Sequence, residues 1–168
     1  YEYDAVGRML KTTLPDATSI ENVYDAAGRL SSTKDGRGKV TTYDYDTAGR
    51  RTKVTDPLGH ATAFTYDANG NQLTVKDALN RVMTYEYDNL NRRTKVIFPD
   101  STFTQTTYDE AGRRLSERDQ AGKLTQFRYD RLGRLVKVID ALNQETTYTY
   151  DELGNRLTQK DANNHTTS

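Results

Sequence analysis

Cysteine and tryptophan are absent from this 168-residue chain, and proline occurs only three times. Without thiols there is no disulfide framework and no cysteine-ligated metal. That fits a reducing compartment, and it equally fits an exposed protein that never needed covalent staples. No apolar run approaches the ~20 residues of a membrane-crossing helix. No stretch has the basic, apolar and small-residue order of a cleavable signal peptide. An excess of either charge is lacking too: 24 basic side chains are matched by 24 acidic ones, spread evenly. Such a balance argues against the basic stripe of a nucleic-acid partner and against the cation cluster that sits on lipid. Neither nucleic acid nor membrane insertion is therefore expected. Apolar residues make up 34% of the chain, below the ~45–50% of ordinary globular domains. Scarcity on that scale is one mark of disorder, but the order of the residues argues against it.

What is present is a period. Tyr-Asp stands at Tyr3-Asp4, Tyr24-Asp25, Tyr45-Asp46, Tyr66-Asp67, Tyr87-Asp88, Tyr108-Asp109, Tyr129-Asp130 and Tyr150-Asp151, always 21 residues apart. Eight such units account for residues 1–168 as a single array. A fixed period in this range marks a repeat architecture, in which each unit buries its apolar face only against its neighbours. Ser168 would lead back into Tyr1 without a break in phase, so the array reads as part of a longer one.

Numbering each unit from its tyrosine as position 0, position 4 is Gly7, Gly28, Gly49, Gly70, Gly112, Gly133 and Gly154, with Asn91 in the remaining unit. Asp-x-x-Gly is a turn: the carboxylate accepts a backbone N–H two residues on, and Gly or Asn tolerates the positive φ at the exit. Position 5 is Arg8, Arg29, Arg50, Arg92, Arg113 and Arg134, or else Asn71 and Asn155. A second Asp-x-x-Gly/Asn turn follows ten residues later, as in Asp35 to Gly38 and Asp140 to Asn143. Leu14-Pro15-Asp16 and Phe98-Pro99-Asp100 take its place in two units, with proline supplying the φ near −65° of a type I turn.

Between the turns lie two strands of about six residues, both alternating with period two. In the second, the tyrosine shares a face with position 19, which is Tyr43, Phe64, Tyr85, Phe127 or Tyr148 in five units. Positions 7 and 9 favour Leu, Val and Thr and positions 6, 8 and 10 favour Arg, Lys and Thr, so one face is expected to carry rings and aliphatics and the other charge. The fold class expected is all-β: sixteen short strands in tandem hairpins, forming a curved, spiralling antiparallel sheet whose ring-bearing face needs cover. An odd period sets a further condition. If both turns closed on identical three-residue loops, each repeat would slip by one residue and turn its side chains to the opposite face. Either the two turns differ in effective length, or one β-bulge per repeat absorbs the extra residue.

The segment Gly122-Lys123-Leu124-Thr125-Gln126-Phe127-Arg128-Tyr129-Asp130-Arg131-Leu132-Gly133-Arg134-Leu135 resembles the motif of the YD-repeat family. That family comprises the Rhs proteins, the shell subunits of insecticidal toxin complexes, the teneurins and wall-associated bacterial proteins. The resemblance covers all eight units. It implies a large secreted, extracellular or cell-surface protein, bacterial for the shell-forming branch, whose repeats coil into a hollow β-shell. In bacteria such shells hold a toxic C-terminal domain; in teneurins they serve adhesion. Neither an effector domain nor the autocleaving end-of-shell segment is visible within residues 1–168. Asp56-Pro57-Leu58-Gly59 has the look of a shell terminator but falls in the phase of an ordinary second turn.

Candidate chemistry has a structural reading at every position. Asp25 and Arg29, and their equivalents, are expected to pair across the turn, and arginine against tyrosine to form cation–π contacts. Asp44 and Asp46 straddle Tyr45 but lack the dense oxygen ligands of a calcium loop. His60 and His165 share a repeat position without cysteine partners, which is no zinc site. No nucleophile–base set or phosphate loop appears. No cofactor and no catalysis are expected. The leading expectation is a structural segment of an Rhs-like shell enclosing a toxin or cargo. The rival is an extracellular fibre or surface adhesion protein. Expected partners are flanking repeats or like subunits through edge strands, with an enclosed toxin domain or a surface glycan.

Overall fold

The computed structural model describes residues 1–168, and every regular element in it is a β-strand. The strands are β1 (Glu2–Tyr3), β2 (Met9–Thr13), β3 (Ser19–Tyr24), β4 (Leu30–Lys34), β5 (Val40–Tyr45), β6 (Arg51–Thr55), β7 (Ala61–Tyr66), β8 (Gln72–Lys76), β9 (Val82–Tyr87), β10 (Arg93–Ile97), β11 (Phe103–Tyr108), β12 (Arg114–Arg118), β13 (Leu124–Tyr129), β14 (Leu135–Ile139), β15 (Glu145–Tyr150), β16 (Arg156–Lys160) and β17 (Thr166–Thr167). Seventeen strands stand where sixteen were expected, because the two-residue β1 and β17 are part-strands. Within each of the two units described below, each strand is hydrogen-bonded to the next in sequence, and every pairing is antiparallel. Two compact units, Tyr1–Thr84 and Tyr85–Ser168, each contain four of the Tyr-Asp pairs.

Both turns of a repeat have the same form, so unequal turns are not what absorbs the odd residue. At the first, Asp46 N donates to Arg50 O (2.9 Å) and Gly49 N to Asp46 O (3.0 Å). At the second, Asp56 N donates to His60 O (2.9 Å) and Gly59 N to Asp56 O (3.0 Å). Gly49 and Gly59 sit at φ of 81° and 84°, the left-handed exit that completes a three-residue hairpin loop. The Asp-Pro-Leu-Gly segment is thus an ordinary second turn.

The extra residue is absorbed by a bulge. Tyr45 lies opposite Arg51, but its neighbour Asp44 lies opposite Lys53, which leaves Thr52 unmatched. The same skip occurs at Tyr24/Leu30 and Tyr66/Gln72 in the first unit. In the second it occurs at Tyr108/Arg114, Tyr129/Leu135 and Tyr150/Arg156. No skip occurs across the second turn, where Val54 faces Thr62 and Thr55 faces Ala61. One bulge per repeat restores parity, so successive tyrosines keep to one face.

The bulge also corrects the expected division of side chains. Position 6 was assigned by alternation to the charged face. With the bulge between them, positions 6 and 9 point to the same side, and Arg51 lies over the Tyr43 ring with Cζ 4.7 Å from its centroid. Arg114 does the same over Phe127 at 5.1 Å. No side chain in either unit is buried. The rings and valines of this face are half-covered by their sheet neighbours alone.

The two proline turns keep the same hydrogen bonds with different residues. Leu14 N donates to Thr18 O and Ala17 N to Leu14 O; Phe98 N donates to Thr102 O and Ser101 N to Phe98 O. Ala17 and Ser101 therefore occupy positive φ, at 65° and 67°, a conformation that strains any residue with a Cβ. Asp16 Oδ1 partly compensates by accepting both the Thr18 N–H and its hydroxyl. Ala17→Gly and Ser101→Gly are each expected to stabilise the chain by roughly 0.5–1 kcal/mol, read from urea denaturation of the full chain.

Candidate functional site

Within each unit the repeated Tyr-Asp-x-x-x-Arg residues form a clamp that ties one repeat to the next. It begins at the turn. Oδ1 of Asp25 accepts the backbone N–H of Ala27 and of Arg29, both at 2.9 Å. Its Oδ2 accepts Nε of Arg29 at 2.7 Å. With Nε fixed, the guanidinium lies over the ring of Tyr45 in the following repeat, 4.8 Å from the centroid. Nη1 of Arg29 then donates to the carbonyl of Asp46 at 2.9 Å. One planar cation thus binds its own carboxylate, the next ring and the next turn's backbone, which a lysine could not do.

The pattern recurs. Arg50 binds Asp46, covers Tyr66 and reaches Asp67 O at 2.6 Å. In the second unit Arg92 serves Asp88, Tyr108 and Asp109 O, and Arg134 serves Asp130, Tyr150 and Asp151 O. Arg113 covers Tyr129 at 4.9 Å, and Arg8 covers Tyr24 at 4.7 Å. At the two departures Asn71 and Asn155 donate Nδ2 to Asp67 and Asp151 Oδ2, both at 2.8 Å. The amide keeps the bond across the turn.

The phenol closes the clamp from the other side. Tyr45 OH donates to Leu30 O at 2.9 Å, and Tyr66 OH to Arg51 O at 2.8 Å. Tyr150 OH donates to Leu135 O at 2.7 Å. The acceptor is the carbonyl at the bulge of the preceding repeat, where regular sheet pairing is interrupted. Sequence reasoning found the Asp–Arg pair and the cation–π contact. It missed the phenol's acceptor and the arginine's second bond, both of which are backbone carbonyls with no residue-type signal.

Gly28 shows why the exit position is restricted. Its φ is +81°, and a Cβ there would lie 2.9 Å from Nη1 of Arg8. Glycine at this point serves the turn and also leaves room for the arginine of the previous repeat.

The aspartates of the Tyr-Asp pairs are held below their ordinary carboxyl range. The backbone N–H of Arg29 foremost, helped by its guanidinium, holds the Asp25 carboxyl below its ordinary range against the opposing effect of desolvation. Asp4 and Asp46 are lowered by the same donors, the backbone N–H at position 5 foremost. At Asp67 and Asp151 the asparagine side chain is the main cause.

Other candidate residues are drawn into separate contacts. Asp44 pairs with Lys53 at 3.5 Å and Asp46 with Arg50 at 2.7 Å, so the two carboxylates do not converge. His60 Nδ1 lies 3.0 Å from Asp56 Oδ2 within its own turn. No group of three His, Asp or Glu side chains is placed to hold a metal. A recess of about 650 Å³ is lined by Glu117, Arg118, Asp119, Lys123 and Asp140 among others.

A protein of this class is a tandem array of antiparallel hairpins, each locked to its neighbour through a Tyr-Asp motif. Within that class the chain belongs to the teneurin YD-shell family, whose model matches residues 38–168. No curated protein matches the chain by sequence. Its fold is similar to that in the structure of a Photorhabdus luminescens Tc holotoxin pore carrying a TccC3 mutation, at 20% identity and a TM-score of 0.64. That match covers 92% of this chain and 10% of the other. Crystal structures of TcdB2-TccC3 and of TcdB2-TccC3 without hypervariable C-terminal region match at 18% identity and a TM-score of 0.48, covering 96% of this chain and 12% of theirs. The chain thus spans about a tenth of the length of these structural relatives.

Proposed function

We propose that this chain is a wall segment of a secreted β-shell that encloses a polypeptide cargo, and that it acts by structure and not by catalysis. Membership of the YD-shell family carries the reading. The clamp supports it. Each polar group of the motif is committed within the array: carboxylate to the arginine of its own turn, arginine to the ring and carbonyl of the next repeat, phenol to a carbonyl of the preceding one. A motif that spends its arginine and its phenol on the adjoining repeats builds a wall that extends repeat by repeat. Its partners are then the flanking repeats and the enclosed chain.

The test is negative-stain microscopy of the full-length protein together with limited proteolysis. The expected result is closed particles in which an internal segment resists protease until the particle is denatured. Filaments with no protected segment would instead favour the fibre or adhesion reading.

A further inference from the structure

We propose that the ribbon closes sideways through its turn tips: apolar side chains on the first-turn edge of one course dock on the leucines of the second-turn edge of the adjacent course of the same ribbon. The proposal rests on the shell reading above and assigns the contact that seals the wall.

The most exposed apolar side chains are not spread over the sheet. Apart from Tyr1, the large apolar residues exposed by 65% or more are Val6, Leu58, Leu79, Leu90, Leu132, Leu142 and Leu153. Each is the third residue of an Asp-x-x-Gly or Asp-x-x-Asn turn. Those on the strands reach 56% at most, at Val23. Nothing in the turn asks for leucine. The position contributes its N–H, which the turn aspartate's Oδ1 accepts at 2.8 Å from Leu58 and Leu142, and at 2.9 Å from Ala27, Arg37 and Asn163. Alanine, arginine and asparagine thus make the same turn, and turns ordinarily favour polar residues. Leucine held out into water at tip after tip marks a surface made for a partner.

That partner is a row of the same kind. Along these edges the chain doubles back, and the N–H groups of the tip residue and of the turn exit are already bonded within the turn. No strand can add there, so a neighbour can engage only side chains. Successive tips on one edge are two strands apart, ~10 Å at ~4.8 Å per strand. Every repeat supplies one tip to each edge, so both edges have this pitch and a second course matches it without adjustment. A strand of five or six residues is only ~17–20 Å long. A ribbon one hairpin wide therefore encloses a polypeptide only by winding in adjacent courses. Winding in one direction brings the first-turn edge of one course against the second-turn edge of the next. The first-turn edge is apolar at Val6, Ala27 and Ala48 in the first unit and at Leu90, Ala111, Leu132 and Leu153 in the second. The second-turn edge offers Leu58 and Leu79 in the first unit and Leu142 in the second, among polar tips such as Arg37 and Asp100.

A photo-crosslinking amino acid is placed at Leu58 and Leu142 on one edge and at Leu132 and Leu153 on the other. The full-length assembled protein is used, as a mixture of isotopically heavy and light copies, and cross-linked peptides are identified by mass spectrometry. Second-turn positions are expected to reach peptides that carry a first turn, and first-turn positions to reach second turns. The joined repeats should not be neighbours in sequence, and both peptides should carry the same label. Leu132→Asn and Leu142→Asn keep their hairpins, since asparagine holds this place at Asn163 with the turn's hydrogen bonds intact. Both variants are expected to let protease reach the enclosed segment under conditions in which the unaltered particle resists. Cross-links between like edges, between copies of different label, to the cargo, to an outside molecule or to nothing overturn the inference, as does full protection in both variants; a protected cargo still upholds the shell. Absence of any protected cargo in the unaltered protein overturns both.

Discussion

Tyr66→Ala is expected to destabilise the Tyr1–Thr84 unit by about 3 kcal/mol, the low end of the range for removing an aromatic ring. The ring is half-buried and not enclosed, which keeps the effect at that end. Two contacts disappear with it: the Arg50 guanidinium 4.9 Å above the ring, and the hydroxyl bond to Arg51 O. Tyr66→Phe removes only the second and is expected to lose about 1 kcal/mol. Urea denaturation of the full chain gives both values. Hydrogen exchange should place the added opening at the flanking hairpins, because a repeat array loses stability nearest the broken contact. Equal losses for alanine and phenylalanine would mean that the ring contributes nothing beyond its hydroxyl.

Acid is expected to dismantle the array. The aspartates of the Tyr-Asp pairs are held below their ordinary carboxyl range, with the backbone N–H at position 5 the foremost cause at Asp4, Asp25 and Asp46 and the side chain at that position foremost at Asp67, Asp130 and Asp151. A carboxyl lowered in the folded state adds stability that is fully present above its unfolded value and is lost as pH falls through the folded one. Stability is therefore expected to be level at neutral pH and to decline within and below the ordinary carboxylate range. The same small effect is repeated from turn to turn, so the decline should be steep. Circular dichroism along an acid titration reads it. Asp46→Asn and Asp130→Asn should be less stable at neutral pH and should lose less on acidification. A wild-type curve that stays flat through the carboxylate range would contradict the assigned role of these turns.

Much of this fold is legible in the residues, and the limits have physical causes. Asp-x-x-Gly at both turns specifies the loop from local chemistry alone, so the hairpins and their spacing follow from sequence. The odd period even demanded that something absorb one residue. It could not say which of two devices does so, because a bulge at Thr52 leaves no mark in composition. That one displacement moved Arg51 from the charged face to the ring face, and with it the chemistry of the surface. The Arg–Tyr contact was readable because side-chain types advertise it. The bonds from Arg29 to Asp46 O and from Tyr45 to Leu30 O were not, since any residue supplies a carbonyl. Ala17 and Ser101 hid a left-handed turn exit behind residues that rarely adopt it.

A double-mutant cycle between Arg50 and Tyr66, using Arg50→Ala, Tyr66→Leu and the pair, tests most directly whether the motif locks one repeat to the next. The expected outcome is a favourable coupling of about 0.5–1 kcal/mol, in the range of a stacked cation. Strictly additive losses would mean that the guanidinium and the ring belong to separate repeats that merely lie side by side.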